Sequence, residues 1–303
     1  SASRLYHQKD SLMDIVTLFC EIDDFCTQLE PWLNAQLLPV RQRQRESRMH
    51  MSEVMTILVL YHASGYKNLK AFYTQQIIRH HVAEFPDLCS YQRFVQLQSR
   101  CLMPLFFYLL SKRGDCTGIS FIDATALKVC HNLRIPSHKV FAGSAARGKS
   151  STGWYYGFKL HLAINERGEI LGFYLTAANV DERKTADWIT RELTGKVVGD
   201  KGYISQDLFE TLMSRGLQLI TKLRSNMKNR LVQLEDKILL RKRAIIETVN
   251  DQLKNISNIE HTRHRSLWNF LGNVAAGLIA YCWKEKKPSL NLNFETTVPA
   301  IVI

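Results

Sequence analysis

Three acidic residues sit where an ordinary carboxylate is costly. Asp123 lies inside the apolar run Phe121-Ile122-Asp123-Ala124-Thr125, which reads as a strand. A lone carboxylate there loses hydration on folding, which raises its pKa or destabilises the fold unless a cation or a donor answers it. Asp200 ends a second apolar run, Lys196-Val197-Val198-Gly199, and is followed closely by Gly202. Ligand sites of α/β sheets favour the carboxyl ends of strands, and glycine lets a bulky partner come near the backbone. Glu247 belongs to a helical stretch in which Ile246, Val249, Leu253 and Ile256 recur at spacings of 3, 4 and 3, a core-facing stripe. Arg243, Glu247, Asn250 and Lys254 recur at 4, 3 and 4, a polar stripe about 100° round the same helix. Each acid alone has a plain explanation: a capped backbone group, the start of a turn, an i,i+4 pair with Arg243. Together they form a set of all-oxygen donors.

The elements decide whether the three can meet. The first third of the chain reads as helical, with segments at Met13–Leu38, Glu53–Tyr61 capped by Ser52, Leu69–Phe85 and Ser90–Leu110. From Gly118 the pattern turns to strands. The run around Asp123 is β-rich, Gly153–Asn165 alternates and Glu169–Val180 reads as a third strand, the last two joined by the turn Asn165–Gly168. A helix over Asp181–Leu193, a buried strand ending at Asp200, a helix from Ser205 to Arg215 and a strand Leu217–Thr221 follow, then a basic stretch and a last helical region. The order β-β-β-α-β-α-β-α predicts a ribonuclease-H-like mixed five-stranded sheet with flanking helices, preceded by an all-α N-terminal domain. Expected boundaries are 1–12 as upstream residues outside the fold, 13–116 for the helical domain, 117–285 for the α/β domain and 286–303 for a tail.

In such a sheet the first and fourth strands are neighbours. Asp123 and Asp200 then lie side by side, and the last helix brings Glu247 across them. Converging carboxylates repel one another unless cations lie between them, and oxygen-only ligands select hard divalent ions, Mg²⁺ or Mn²⁺. Two such ions, about 3.5–4 Å apart, stabilise the attacking and leaving oxygens of an in-line phosphoryl transfer.

The chain resembles the bacterial insertion-sequence transposases of the DDE type over about residues 13–283. Arg243, Glu247 and Lys254 match the R-x3-E-x6-K part of a Y-R-E-K signature, with Leu240 in place of the tyrosine, and the segments around Asp123 and Asp200 resemble those holding the first two acids. The separations are 200 − 123 = 77 and 247 − 200 = 47 residues, the second too short for a large β insertion. The resemblance implies a DNA transposase that cuts transposon ends and transfers the strand into target DNA. Asp123, Asp200 and Glu247 would be both catalytic and metal-binding, with Mg²⁺ or Mn²⁺, two ions, as cofactor. The partners implied are double-stranded DNA and a second copy of the chain, in a homodimer or higher synaptic complex. The alternatives are a ribonuclease-H-like nuclease that hydrolyses without joining, and a non-catalytic DNA-binding descendant.

Charge agrees with a polyanionic partner. Lys and Arg number 40 against 28 Asp and Glu, net +12, which disfavours an ordinary metabolic enzyme. Between Lys222 and Arg265 eleven Lys and Arg face five Asp and Glu. Candidate DNA contacts are Arg241, Lys242, Arg243, Lys254, Lys222, Arg224, Lys228, Arg230 and Lys201, with a further basic cluster at Arg41–Arg48. Asp181 is a candidate extra acid or a helix cap. Lys159 and His161 share a strand face and either approach the site or are structural. Trp154, Tyr155 and Tyr156 read as packing residues. The seven scattered cysteines argue against disulfides and zinc and for a reducing, cytoplasmic setting near the nucleoid. No apolar run is long enough to span a bilayer.

Overall fold

The computed structural model describes residues 13–36, 47–150, 153–222, 233–260 and 264–292. Among them, six strands form one mixed sheet: β1 (Ile119–Cys130), β2 (Ala146–Ser150), β3 (Gly153–Asn165), β4 (Ile170–Ala177), β5 (Gly195–Gly199) and β6 (Leu217–Thr221). The order is β2-β3-β1-β5-β6, and β4 also pairs with β3. β1, β3 and β4 are antiparallel neighbours, whereas β5 runs parallel to β1, and β6 to β5. Setting aside the short β2, this is the ribonuclease-H-like arrangement. Parallel neighbours need a crossover, supplied by α5 (Glu182–Ile189) before β5 and α6 (Gln206–Met213) before β6.

β2 is the strand that the sequence conceals. Ala146-Arg147-Gly148-Lys149-Ser150 carries no apolar alternation, and its pairing with the first residues of β3 makes it a strand. Gly148 belongs to that packing: a Cβ there would lie 2.5 Å from the carbonyl oxygen of Ala178, in the segment that follows β4.

The remaining helices are α1 (Ile15–Gln36), α2 (Met51–Ala63), α3 (Tyr91–Gln98), α4 (Leu102–Ser111), α7 (Leu234–Lys242), α8 (Ala244–Asn255) and α9 (Leu267–Cys282). Between α2 and α3 runs a helical piece whose middle, Phe72–Ile77, is a π-helix. α2 starts earlier than Ser52 suggests: His50 is its N-cap, and the Glu53 carboxylate accepts from the His50 amide at 2.6 Å. The final helical region is two helices rather than one, α7 and α8, broken at Arg243.

The two faces of the sheet bury different helices. Phe121, Leu127, Leu160 and Val198 face a large cluster that runs from Leu18 and Ile22 of α1 to Ile279 and Tyr281 of α9. Ile122, Ala163 and Val197 face the other way, onto α5 and α6 through Ala186, Ile189, Leu208 and Leu212. α9 is buried along most of its length, which suits a helix apolar on every side. The seven cysteines are unpaired. Among the described residues no helix is long and apolar enough to cross a membrane.

Two buried histidines give the fold a pH dependence. His62 in α2 makes a short bond through Nδ1 to the Ser257 carbonyl oxygen. His161 in β3 is held by the Thr176 hydroxyl at 2.9 Å and the Thr185 hydroxyl at 3.0 Å. Burial pushes both down to about 4. A depressed histidine stabilises the fold fully above its unfolded pKa of about 6.5, and that stability is lost as pH falls toward 4. Each contributes on the order of 2 kcal/mol that is gone by about pH 5. Urea midpoints at about pH 7.5 and pH 5 should therefore differ strongly, and His161→Gln should shrink the difference; a midpoint indifferent to pH contradicts the neutral assignment.

Candidate active site

β1 and β5 are in register with Phe121 opposite Val198. Two residues further along each lie Asp123 and Asp200, at the same end of the sheet and, by strand alternation, on the face that packs α8. Asp200 leaves β5 and caps a short turn, Lys201–Tyr203, its Oδ1 accepting from the Gly202 amide at 2.7 Å. Gly202 has no room for more: a Cβ there would sit 2.8 Å from that same oxygen and 3.4 Å from Oε2 of Glu182.

α8 lies over β1 and reaches Asp123 twice. The Asn250 side chain donates to Oδ2 at 3.0 Å. Arg243, at the break before α8, places Nη1 3.6 Å from Oδ1. Its Nη2 forms an ion pair with Glu247 one turn later. One guanidinium thus joins Asp123 to Glu247, whose outer side remains exposed. Ile246, Val249 and Leu253 anchor the helix, whereas Ile256, expected in the same stripe, is 48% exposed. α8 stops at Asn255, Asn258 turns the chain with φ +54°, and Ile259 takes the buried place.

The electrostatics follow from this crowding. Burial pushes the Asp123 carboxyl up to about 6; Asp200 and Glu182 push the same way, while Arg243 and the Ala124 amide oppose them. Tyr203, fully buried, is held well above its ordinary value by burial and by the carboxylates of Glu182, Asp123 and Asp200. Among the described residues the Tyr203 hydroxyl, the Asn250 carbonyl oxygen and Arg243 Nη1 have no hydrogen-bond partner. Buried polar atoms of that kind call for an explanation such as a bound ion, water or ligand.

Residues 113–267 match the family described as the transposase DDE domain. The chain belongs to that family. Its DDE domain therefore carries Asp123, Asp200, Glu247, Arg243 and Lys254 within the matched stretch. The chain is also similar to a piggyBac transposase solved as a synaptic complex with hairpin DNA, at 13% identity and a TM-score of 0.41, covering 72% of this chain and 52% of that one. A further likeness is to the Mos1 mariner paired-end complex with Mn, at 10% identity and a TM-score of 0.24, covering 87% and 88%. The chain spans about half the length of the piggyBac chain. No curated protein sequence matches it.

Around Asp123, Asp200 and Glu247, the other candidates fall in different places. Asp181 is the N-cap of α5, accepting from the Arg183 amide at 3.0 Å and pairing with its guanidinium, which holds its carboxyl down at about 2. The next residue, Glu182, is the acid that approaches Gly202 and Asp200. Sequence reasoning misses it, because adjacency to a cap residue gives no sign of which of the two acids turns inward. Lys159 binds Glu182 at 3.2 Å and the Val180 carbonyl at 3.1 Å. His161 has both ring nitrogens engaged by threonines, which leaves neither for a metal or DNA. Lys254 lies 3.7 Å from Glu260. Arg241, Lys242, Lys201 and Lys222 are exposed. Arg224, Lys228, Arg230 and most of the Arg41–Arg48 cluster lie outside the described residues. Among the described residues no three His, Cys, Asp or Glu side chains are grouped to hold a metal ion: Glu247 is turned onto Arg243. The donor chemistry nevertheless suits a hard cation, since the polar atoms left over around Asp123 are oxygens apart from Arg243 Nη1.

Proposed function

We propose that this DDE-family chain is a DNA transposase that cuts phosphodiesters at transposon ends and joins the resulting 3′ ends to target DNA, with a divalent cation as cofactor. The observation that carries the reading is the placement of Asp123 and Asp200 at adjoining ends of parallel strands beneath α8, which brings Arg243 and Glu247. Asp123, Asp200 and Glu247 are the residues that would hold Mg²⁺ or Mn²⁺. When bound, the ion supplies Lewis-acid activation of the attacking oxygen and offsets charge on the phosphate.

The chain's own groups do the rest. Asp123, pushed up to about 6, is mostly ionised at neutral pH and available as a ligand. Asn250 fixes one of its oxygens and leaves its own carbonyl oxygen unsatisfied. Arg243 sits where it can exchange a carboxylate for a phosphate oxygen and neutralise charge that develops there. In the first step a water oxygen bonds to phosphorus and the P–O3′ bond breaks, leaving a 3′-hydroxyl on the element and a 5′-phosphate on the flank; one proton of the water ends on the departing 3′-oxygen by way of solvent, and the other is released. In the second step that 3′-oxygen bonds to a target phosphorus and displaces the target's 3′-oxygen, so the number of phosphodiesters is unchanged. Exposed Arg241, Lys242, Lys201 and Lys222, with Lys254, are the proposed backbone contacts, and residues 13–116 the proposed assembly and DNA-binding part. A homodimer or larger complex would hold two ends together.

The test is incubation of the full chain with a duplex carrying the terminal repeats that flank its coding sequence, in Mg²⁺, Mn²⁺ or EDTA. Cleavage in either ion and none in EDTA is expected, with pre-cleaved ends yielding joined product. Cleavage without joining returns the hydrolytic nuclease, and binding without cleavage the non-catalytic descendant.

A further inference from the structure

Beside the acids, a cleft of about 640 Å³ opens between β2 and the segment that runs from β4 into α5. Its size falls within the range of small-ligand sites. One wall is the outward face of β2, with Arg147 and Lys149; the other includes Asp181, Glu182 and Arg183; Gly202, whose amide binds Asp200, also lines it. Trp154 lines it as well, paired across the strands with Lys149.

The chemistry of the cleft is divided. Lys159 and Arg183 are committed to Glu182 and Asp181. Arg147 and Lys149 have no carboxylate partner among the described residues, and Lys149 Nζ lies 5.9 Å from the Trp154 ring centroid. Trp154 is 63% exposed, whereas its neighbours Tyr155 and Tyr156 are buried. Its backbone is pinned by Asn132, which donates to its carbonyl oxygen at 2.8 Å. The ring is thus held at the surface by its strand and adds little to the core. A fixed, open indole beside two uncommitted cations is suited to a flat aromatic group that carries a phosphate. The acids on the opposite wall would keep that phosphate on the β2 side.

We propose that this cleft binds one unpaired nucleotide of a DNA strand, its base stacked on Trp154 and its phosphate on Arg147 and Lys149, next to the phosphodiester held at the acids. A base inside a duplex has no free face, so this site selects a nucleotide that has left the stack. The assignment rests on the reading that the acids cut DNA, and it adds where an unpaired nucleotide beside the cut is held.

The experiment compares two probes on the full chain: a blunt duplex, and the same duplex with a short single-stranded thymidine tail carrying one 5-iododeoxyuridine. Illumination should cross-link the tail to Trp154, as mapped by mass spectrometry. Trp154→Ala should weaken binding of the tailed probe by roughly 5- to 150-fold and leave the blunt probe unaffected. Trp154→Phe, which keeps an aromatic plane, should retain most of the affinity. Arg147→Ala with Lys149→Ala should lower the salt slope for the tailed probe by roughly 0.7, the value for one phosphate contact on a single strand. Equal binding of the tailed probe by Trp154→Ala and the parent, or a cross-link mapped elsewhere, overturns the cleft assignment while blunt-duplex binding keeps the transposase reading. If neither probe binds, both readings fail. Loss of the cross-link to equimolar thymidine monophosphate would reassign the cleft to free nucleotides.

Discussion

Asp123→Asn should lower the rate of DNA cleavage by about a thousandfold, roughly 4 kcal/mol of transition-state stabilisation, while leaving DNA affinity within about twofold. The amide keeps the shape of the side chain but supplies one charge-free oxygen where a cation needs a carboxylate. Glu247→Gln should behave alike, although the Glu247 side chain is 56% exposed and that of Asp123 only 20%. The same Asp123 variant should be more stable than the parent when stripped of metal. Burial pushes this carboxyl up to about 6, so the folded state disfavours its ionised form. The penalty is absent below the unfolded pKa of about 4 and complete above 6. In EDTA the variant should therefore gain on the order of 1–2 kcal/mol at about pH 8 and little near pH 4, the gain being less than the full shift because the amide gives up the pairing with Arg243. A residue held for structure alone would lose stability on this change. Near-parental cleavage by either variant removes that residue from the site, and a loss of stability in EDTA at high pH removes the account of Asp123 as a carboxylate kept at a cost.

Much of this arrangement is legible in residues whose local pattern and tertiary setting agree. Asp123 and Asp200 interrupt or end apolar strands, and strand alternation with parallel pairing carries them to one face whatever their side-chain contacts. The stripe Ile246, Val249, Leu253 orients α8 for the same reason. What escapes are features decided by neighbours distant in sequence. β2 has no pattern of its own and exists because β3 pairs with it and Gly148 fits against Ala178. Ile256 obeys the helical period and still faces solvent, because the chain turns at Asn258 and Ile259 fills the space. Asp181 and Glu182 are adjacent acids at a helix start. Asp181 satisfies the cap, and only the packing of α5 against the turn Lys201–Tyr203 turns Glu182 inward. Tyr203 and Asn250 are ordinary residues in the sequence, and their orphaned polar atoms become visible once three segments meet. Trp154 reads as one of three packing aromatics, yet Tyr155 and Tyr156 are buried while the indole lies outside, at the end of β3 that pairs with β2.

Arg243→Ala should reduce cleavage by about a hundredfold, roughly 3 kcal/mol, and the manner of the loss should separate its roles. The guanidinium joins Asp123 to Glu247, and its Nη1 lies close to Asp123 without a hydrogen-bond partner among the described residues. A buried donor in that condition costs roughly 1–3 kcal/mol, which a phosphate oxygen arriving at the site would relieve. Arg243 also lowers the Asp123 pKa, against the effect of burial. Its removal should therefore make Asp123 harder to ionise and move the acid limb of the pH–rate profile to higher pH. Arg243→Lys keeps a positive charge but loses the planar fork that can hold a carboxylate and a phosphate together, so it should preserve most of that pH limb and still lose at least about tenfold in rate. Combined with Arg241→Ala, Arg243→Ala should reduce the slope of log affinity against log salt by about 1.8 on duplex DNA, near 0.9 for each phosphate contact given up. A slope that does not move would take both arginines out of the DNA path. A pH limb that stays in place with Arg243→Ala would mean that the Asp123–Arg243 pair does not set the ionisation that limits cleavage.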